Sequence, residues 1–227
     1  MDSDAEATLA RIIDTAPRGR RALVAIDGVG ASGKTTFAAA LARSVETRPV
    51  VVLHVDDFFN PAAIRHARGR YSPEGFWLDS YNYDALTSDA LDPLRPSGDG
   101  WFRAAAIDHD SGRVTRPAPV RAADDALVLV DGTFLHRREL ASYWDSSVFL
   151  DVPSETAVRR MSQRAGGGTG IDDGLRQRYF GAQLLYFTSS RPWERARLVV
   201  DNTDPDHPKI IEAGAAAAAA ELASAGG

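Results

Sequence analysis

The chain contains no cysteine, which excludes disulfides, cysteine-based zinc sites and thiol nucleophiles. It has no excess of positive charge either. The formal net charge is −5, which gives no electrostatic footprint for DNA, RNA or an anionic membrane, and neither is expected as a partner. No apolar run approaches the ~20 residues that a membrane helix needs. The alanine tract at 215–220 is too short and too weakly hydrophobic for that. Asp2, Asp4 and Glu6 occupy the N-terminus where a secretory signal would place a basic stretch and then an apolar one, so the cytoplasm is the expected location. The guanine-reading string N-K-x-D is missing too, since Asn202-Thr203-Asp204 lacks the lysine. This weighs against a GTP-driven switch. Oligomeric state is not legible, and a homo-oligomer stays open.

What is present fits a soluble α/β protein. A length of 227 residues with 44% hydrophobic and 25% charged residues accommodates one large domain and a small lid. Apolar strand patterns at 22–27, 49–55, 127–131, 148–152 and 198–201 alternate with helical patterns at 3–16, 33–45, 83–91, 137–143, 154–164, 172–189 and 208–223. Such alternation predicts a parallel sheet with helices on both faces and right-handed crossovers. The β-branched run at 49–55 reads as a strand buried on both faces. Ligands of such sheets gather beyond the carboxyl ends of the strands. Asp27, the pair Asp56-Asp57, Asp131 and Asp201 all stand at such ends.

The stretch A-L-V-A-I-D-G-V-G-A-S-G-K-T-T-F at 22–37 organises the rest. It contains G-x-x-x-x-G-K-[ST] between a strand pattern and a helix pattern, the context that gives the string its meaning. Gly28, Gly30, Ala31, Ser32, Gly33, Lys34, Thr35 and Thr36 are expected around a triphosphate. Backbone N–H groups and the helix N-terminus would hold the phosphates. Lys34 would reach the β- and γ-phosphates, and Thr35 would ligate Mg²⁺. Asp56 could accept the proton of an attacking hydroxyl or neighbour the metal, or one acid of its pair could cap a helix. Asp131 ends the run L-V-L-V and is expected near Mg²⁺, with a turn before Gly132 as the plainer reading.

Arg159, Arg160 and Arg164 fall on one helical pattern before Gly166-Gly167-Gly168-Thr169-Gly170. That arrangement reads as a lid over 159–171 that brings Arg160 and Arg164 to the phosphoryl group. Residues 60–125 are rich in proline, glycine, aspartate and aromatics, with strand signals at 101–107 and 113–115 that suggest a small hairpin. A long insertion there is a natural acceptor-binding region. Its candidate acceptor contacts, together with the residues just before it, are Asp57, Phe59, Tyr71, Asp79, Asp84 and Arg113, with His109 beside the last.

Read together, these residues resemble the uridine kinase and phosphoribulokinase-like family of P-loop kinases. G-V-G-A-S-G-K-T-T at 28–36 looks like the family's phosphate loop, and D-D-F-F at 56–59 resembles its D-S-F-Y. V-D-G-T-F at 130–134, R-R-M-S-Q-R at 159–164 and D-N-T-D at 201–204 resemble its second acidic strand, its lid and its last strand and turn. The resemblance implies an NMP-kinase-like P-loop NTPase fold, a three-layer sandwich of about five parallel strands. It also implies ATP and Mg²⁺ as cofactors and a small-molecule acceptor, and it makes Asp56 the catalytic base. Three departures bear on the acceptor, one being that the His which uridine kinases place just before an Arg in the insertion has no counterpart before Arg113. The stretch 71–86 reads Y-S-P-E-G-F-W-L-D-S-Y-N-Y-D-A-L in place of the nucleoside kinases' N-F-D-H-P, and Ala165 stands where the lid usually has an acid. A nucleoside such as uridine or cytidine leads, with a sugar, a sugar phosphate or a pantothenate-like alcohol as alternatives.

Overall fold

The computed structural model describes residues 3–108, 110–164 and 172–225. Its strands in chain order are β1 (Ala22–Gly28), β2 (Val50–His54), β3 (Trp101–Phe102), β4 (Val120–Arg121), β5 (Leu127–Gly132), β6 (Ser146–Asp151), β7 (Leu198–Asp201) and β8 (Lys209–Ile211). The main sheet has the order β2-β5-β1-β6-β7-β8. Its first five strands run parallel and β8 pairs antiparallel with β7. β3 and β4 form a separate antiparallel ribbon inside the insertion.

The apolar runs of β1, β5 and β6 are buried at every position, as expected of strands covered on both faces. Alternation divides their side chains between two cores. Val24, Ile26, Leu129 and Leu150 meet Leu9 and Ile12 of the helix Ser3–Asp14 and Phe37 and Leu41 of the helix Lys34–Arg43. On the other face Leu23, Ala25, Val130 and Phe149 meet Phe187 of the helix Asp173–Ser190. Phe58, Leu86, Leu91 and Phe102 belong to that second core as well, so the insertion packs into the sheet's own interior.

Three sequence expectations are corrected. β2 is an edge strand with only Leu53 fully covered, so its β-branched run marks strand propensity and not double burial. Residues 137–143 form successive turns in place of a helix. The N–H groups of Leu140, Ala141 and Tyr143 close tight turns on the carbonyls three residues back, while Trp144 Nε1 donates to the Leu135 carbonyl and an Arg195 guanidinium N–H to that of His136. The helix expected at 208–223 is shortened to Ala217–Ala225, because Ile210 and Ile211 pair with β7. Its first turn is capped by Asp151, which accepts from the N–H groups of Ala217 and Ala218 at 2.7 and 3.1 Å.

Gly132 ends β5 where the chain turns under the first turn after β2. A Cβ there would lie 2.6 Å from Val55 Cβ. Gly132→Ala is therefore expected to destabilise the fold by about 1–3 kcal/mol. Denaturant unfolding checks this, and an unchanged midpoint would show that Val55 yields freely.

Candidate active site

Parallel register sets the stage. His54 pairs with Asp131 across β2 and β5, and Ile26 pairs with Asp131 across β1 and β5, so the strand ends open along one edge. There a cavity of about 500 Å³ is lined by Gly30, Ala31, Gly33, Lys34, Thr35, Thr36, His54, Asp56 and Asp131, and by an aromatic group described below.

The loop after β1 is shaped for close approach. A Cβ on Gly28 would lie 2.7 Å from Ser32 Oγ and 2.8 Å from the Leu150 carbonyl, and Gly33 sits at φ +92°. Both positions need glycine. Lys34 Nζ donates to the carbonyls of Gly28 and Val29 at 3.0 and 2.8 Å, folding its ammonium back over the loop. Asn202 Nδ2 donates to the Ser32 carbonyl at 2.7 Å, tying the turn after β7 to the loop. Ser32 Oγ is buried with no partner. A buried hydroxyl of this kind, beside a lysine and a helix N-terminus, fits a phosphate group.

Beyond the loop, Thr35 Oγ1 donates to Asp131 Oδ2 at 2.9 Å, while the other carboxylate oxygen is held by His54 Nδ1. Among the described residues no group of three or more His, Cys, Asp or Glu is placed to hold a metal ion. The donors Thr35 and Asp131 are all oxygen, which suits Mg²⁺, an ion that keeps several waters and takes the rest of its shell from substrate phosphates. His54 was not anticipated from sequence, although its place opposite Asp131 follows from strand register alone.

Asp56 is exposed to the cavity, and Asp56 Oδ1 accepts from the Tyr81 hydroxyl at 3.0 Å. Burial first, and then the charge of Asp56, push the Tyr81 phenol well above its ordinary pKa. The phenol therefore stays protonated and donates. The helix-cap reading of the acid pair does not hold, since His54 occupies the cap position of the short turn Val55–Phe58.

The far half of the cavity is aromatic. Phe59 and Tyr81 stack at 4.7 Å between centroids and 11° between planes. Phe76, Phe134, Leu175, Tyr179 and Gln183 complete it. Leu175, Tyr179 and Gln183 lie four residues apart on the helix Asp173–Ser190 and so share one face. This wall was missed in the sequence, where the only signal was that spacing.

Of the other anticipated acceptor residues, none lines the cavity. The Asp57 carbonyl accepts from the N–H groups of Ala106 and Ile107. Tyr71 lies over Gly174, whose Cβ would meet its ring at 2.6 Å. Asp79 pairs with Arg68 at 2.9 Å. Asp84 and Arg113 are exposed. Arg160 donates to the carbonyls of Ala31, Asn202 and Thr203 at 3.2, 3.0 and 3.0 Å, and so ties its helix to the phosphate loop and to the turn after β7. Among the described side chains of this helix it is Met161, and not Arg159 or Arg160, that lines the cavity. The side chain of Arg164, residues 165–171 of the expected lid, and His109 lie outside the described residues.

No family model matches the chain. It is 28% identical over 147 residues to nicotinamide riboside kinase 1 of Mus musculus, covering 64% of this chain and 67% of that protein. The Homo sapiens nicotinamide riboside kinase 1 is 27% identical over 143 residues, covering 63% and 64%. The chain thus spans about two thirds of the curated relatives it matches. Among solved structures, a possible uridine kinase from Bacillus stearothermophilus superposes with a TM-score of 0.70 at 23% identity, covering 86% of this chain and 97% of that one. The chain shares with that structure the α/β fold of the P-loop NTPases.

Proposed function

We propose, with that fold as premise, that this chain is an ATP- and Mg²⁺-dependent phosphotransferase acting on a hydroxyl of a small molecule, with a nucleoside as the leading acceptor. One observation carries the reading. A single cavity holds a phosphate loop with its lysine, the oxygen pair Thr35 and Asp131, the free edge of the Asp56 carboxylate, and a stacked aromatic pair. A triphosphate site alone needs no exposed carboxylate facing an aromatic wall.

In this reading the acceptor's planar base lies against Phe59 and Tyr81 and its hydroxyl meets Asp56. Asp56 takes the hydroxyl proton as the oxygen attacks the γ-phosphoryl group, whose bond to the β-phosphate oxygen breaks to release ADP. The Tyr81 hydroxyl occupies one carboxylate oxygen and leaves the other to the acceptor. Lys34 exchanges its two loop carbonyls for phosphate oxygens and stabilises their charge. Thr35 and Asp131 would hold Mg²⁺, which supplies positive charge to the phosphates when bound. Gln183 and Tyr179, which face the cavity, are positioned to hydrogen-bond polar groups of the acceptor. Nucleosides are favoured because both relatives named above are called riboside kinases and because the aromatic wall suits a planar ring.

The test is an ADP-release screen across nucleosides, sugars, sugar phosphates and pantothenate-like alcohols, with Lys34→Ala as the blank. Release stimulated by nucleosides is expected. Release stimulated only by a sugar or a vitamin alcohol would move the acceptor class, and ATP hydrolysis that no acceptor stimulates would indicate a switch. Phe59→Ala removes half of the stack and is expected to raise the acceptor KM about tenfold with the KM for ATP unchanged. Equal effects on both constants would place Phe59 outside the acceptor site.

A further inference from the structure

Asp27 is the last but one residue of β1 and is fully buried, outside the cavity lining. Every hydrogen bond recorded to its carboxylate comes from a donor. Asp27 Oδ1 accepts from the N–H groups of Gly28 at 2.7 Å and Phe134 at 3.2 Å. Asp27 Oδ2 accepts from the His136 N–H at 3.2 Å, from His136 Nδ1 at 2.7 Å and from the Tyr186 hydroxyl. Burial alone would raise its pKa, but the bonds from His136, Tyr186 and Gly28 outweigh burial and hold the carboxyl below its ordinary value. The group is an ionised acceptor inside the protein.

Its partners belong to different walls of the transfer site. Gly28 opens the phosphate loop. Phe134 lines the cavity and holds φ +74°, a conformation that a bulky side chain adopts only where its surroundings impose it. Tyr186 lies on the same helix face as Tyr179 and Gln183, seven and three residues further along. His136 is braced in turn by Ser147 of β6, at 2.9 Å from its Nε2. We propose that Asp27 is a positioning residue which fixes the phosphate loop and two walls of the acceptor cavity to one buried carboxylate, so that donor and acceptor are held at a single spacing. The proposal rests on the phosphotransferase reading of the cavity. Its physical basis is that transfer requires near-contact alignment, and a displacement of about 1 Å lowers rates on the order of a hundredfold.

Asp27→Asn tests it. An amide offers one acceptor oxygen and turns an NH₂ toward donors, so either the Gly28–Phe134 pair or the His136–Tyr186 pair loses its acceptor. The dissociation constant for ATP, measured by calorimetry without any acceptor, is expected to rise about tenfold. With acceptor present, kcat should fall by more than the acceptor KM rises. Tyr186→Phe keeps the ring in place; it removes the hydroxyl that accepts from the His136 N–H at 2.9 Å but leaves that N–H its 3.2 Å bond to Asp27, so it reports even where Asp27→Asn does not fold. About a threefold rise in the ATP dissociation constant is expected for it. A merely structural network would lower melting temperatures and leave the folded protein's ATP affinity and kcat unchanged, and that result in the folded variants overturns the proposal. The affinity measurement needs no acceptor. A native chain that binds ATP and phosphorylates no alcohol would therefore sink the function proposed above while still deciding the role of Asp27. A native chain that binds no ATP overturns both.

Discussion

Asp56→Asn is expected to lower kcat about a thousandfold and to leave ATP affinity within about twofold of the native protein. The asymmetry follows from where Asp56 stands. Among the described residues it makes no hydrogen bond to the phosphate loop, and its side-chain hydrogen-bond partner is the Tyr81 hydroxyl. An asparagine oxygen can still accept that hydroxyl, so the stacked pair of Phe59 and Tyr81 keeps its anchor and the fold is undisturbed. What disappears is the ability to take a proton from the attacking hydroxyl, a contribution made only in the transition state. Steady-state rates with calorimetric ATP binding separate the two quantities. Turnover unchanged in the variant would remove Asp56 from the role of base, and turnover lost together with ATP binding would assign it to nucleotide or metal binding.

Lys34→Ala is expected to lower kcat by about a hundredfold or more and to weaken ATP binding as well. Lys34 Nζ is held against the carbonyls of Gly28 and Val29, which keeps a positive charge at the mouth of the loop. That charge acts on the ground-state triphosphate and more strongly on the charge that develops during transfer, so both constants should change. Lys34→Arg is not expected to restore activity, because the loop is closed around a compact ammonium and a planar guanidinium needs a wider fork. Full activity in Lys34→Ala would place the phosphates elsewhere.

Most of the sheet was legible in the sequence because its strands are buried on both faces and read as unbroken apolar runs. The phosphate loop was legible because its glycines and lysine are adjacent in the chain. The second sheet edge was not, since β8 is a three-residue strand whose only signal is the pair Ile210-Ile211. The acceptor half was harder still. Phe59 follows directly on the Asp56-Asp57 pair, whereas Tyr179 and Gln183 enter from a helix more than a hundred residues away in the chain. Nothing local marks such residues, and only the packing of that helix against the insertion brings them to the cavity. The acids Asp79 and Asp84 looked equally able to bind a sugar, yet an ion pair to Arg68 holds one and the other faces solvent. Asp27 was visible as an acid at a strand end. Its five donors could not be read, because they come from Gly28, Phe134, His136 and Tyr186 on three separate segments.

The central claim is that the aromatic cavity and the phosphate loop form one transfer site joined at Asp56. The direct measurement is mass spectrometry of a nucleoside panel after incubation with the native chain, ATP and Mg²⁺, with Asp56→Asn run in parallel. The account predicts a monophosphorylated nucleoside with the native chain and essentially none with the variant. Equal product from both proteins would contradict it.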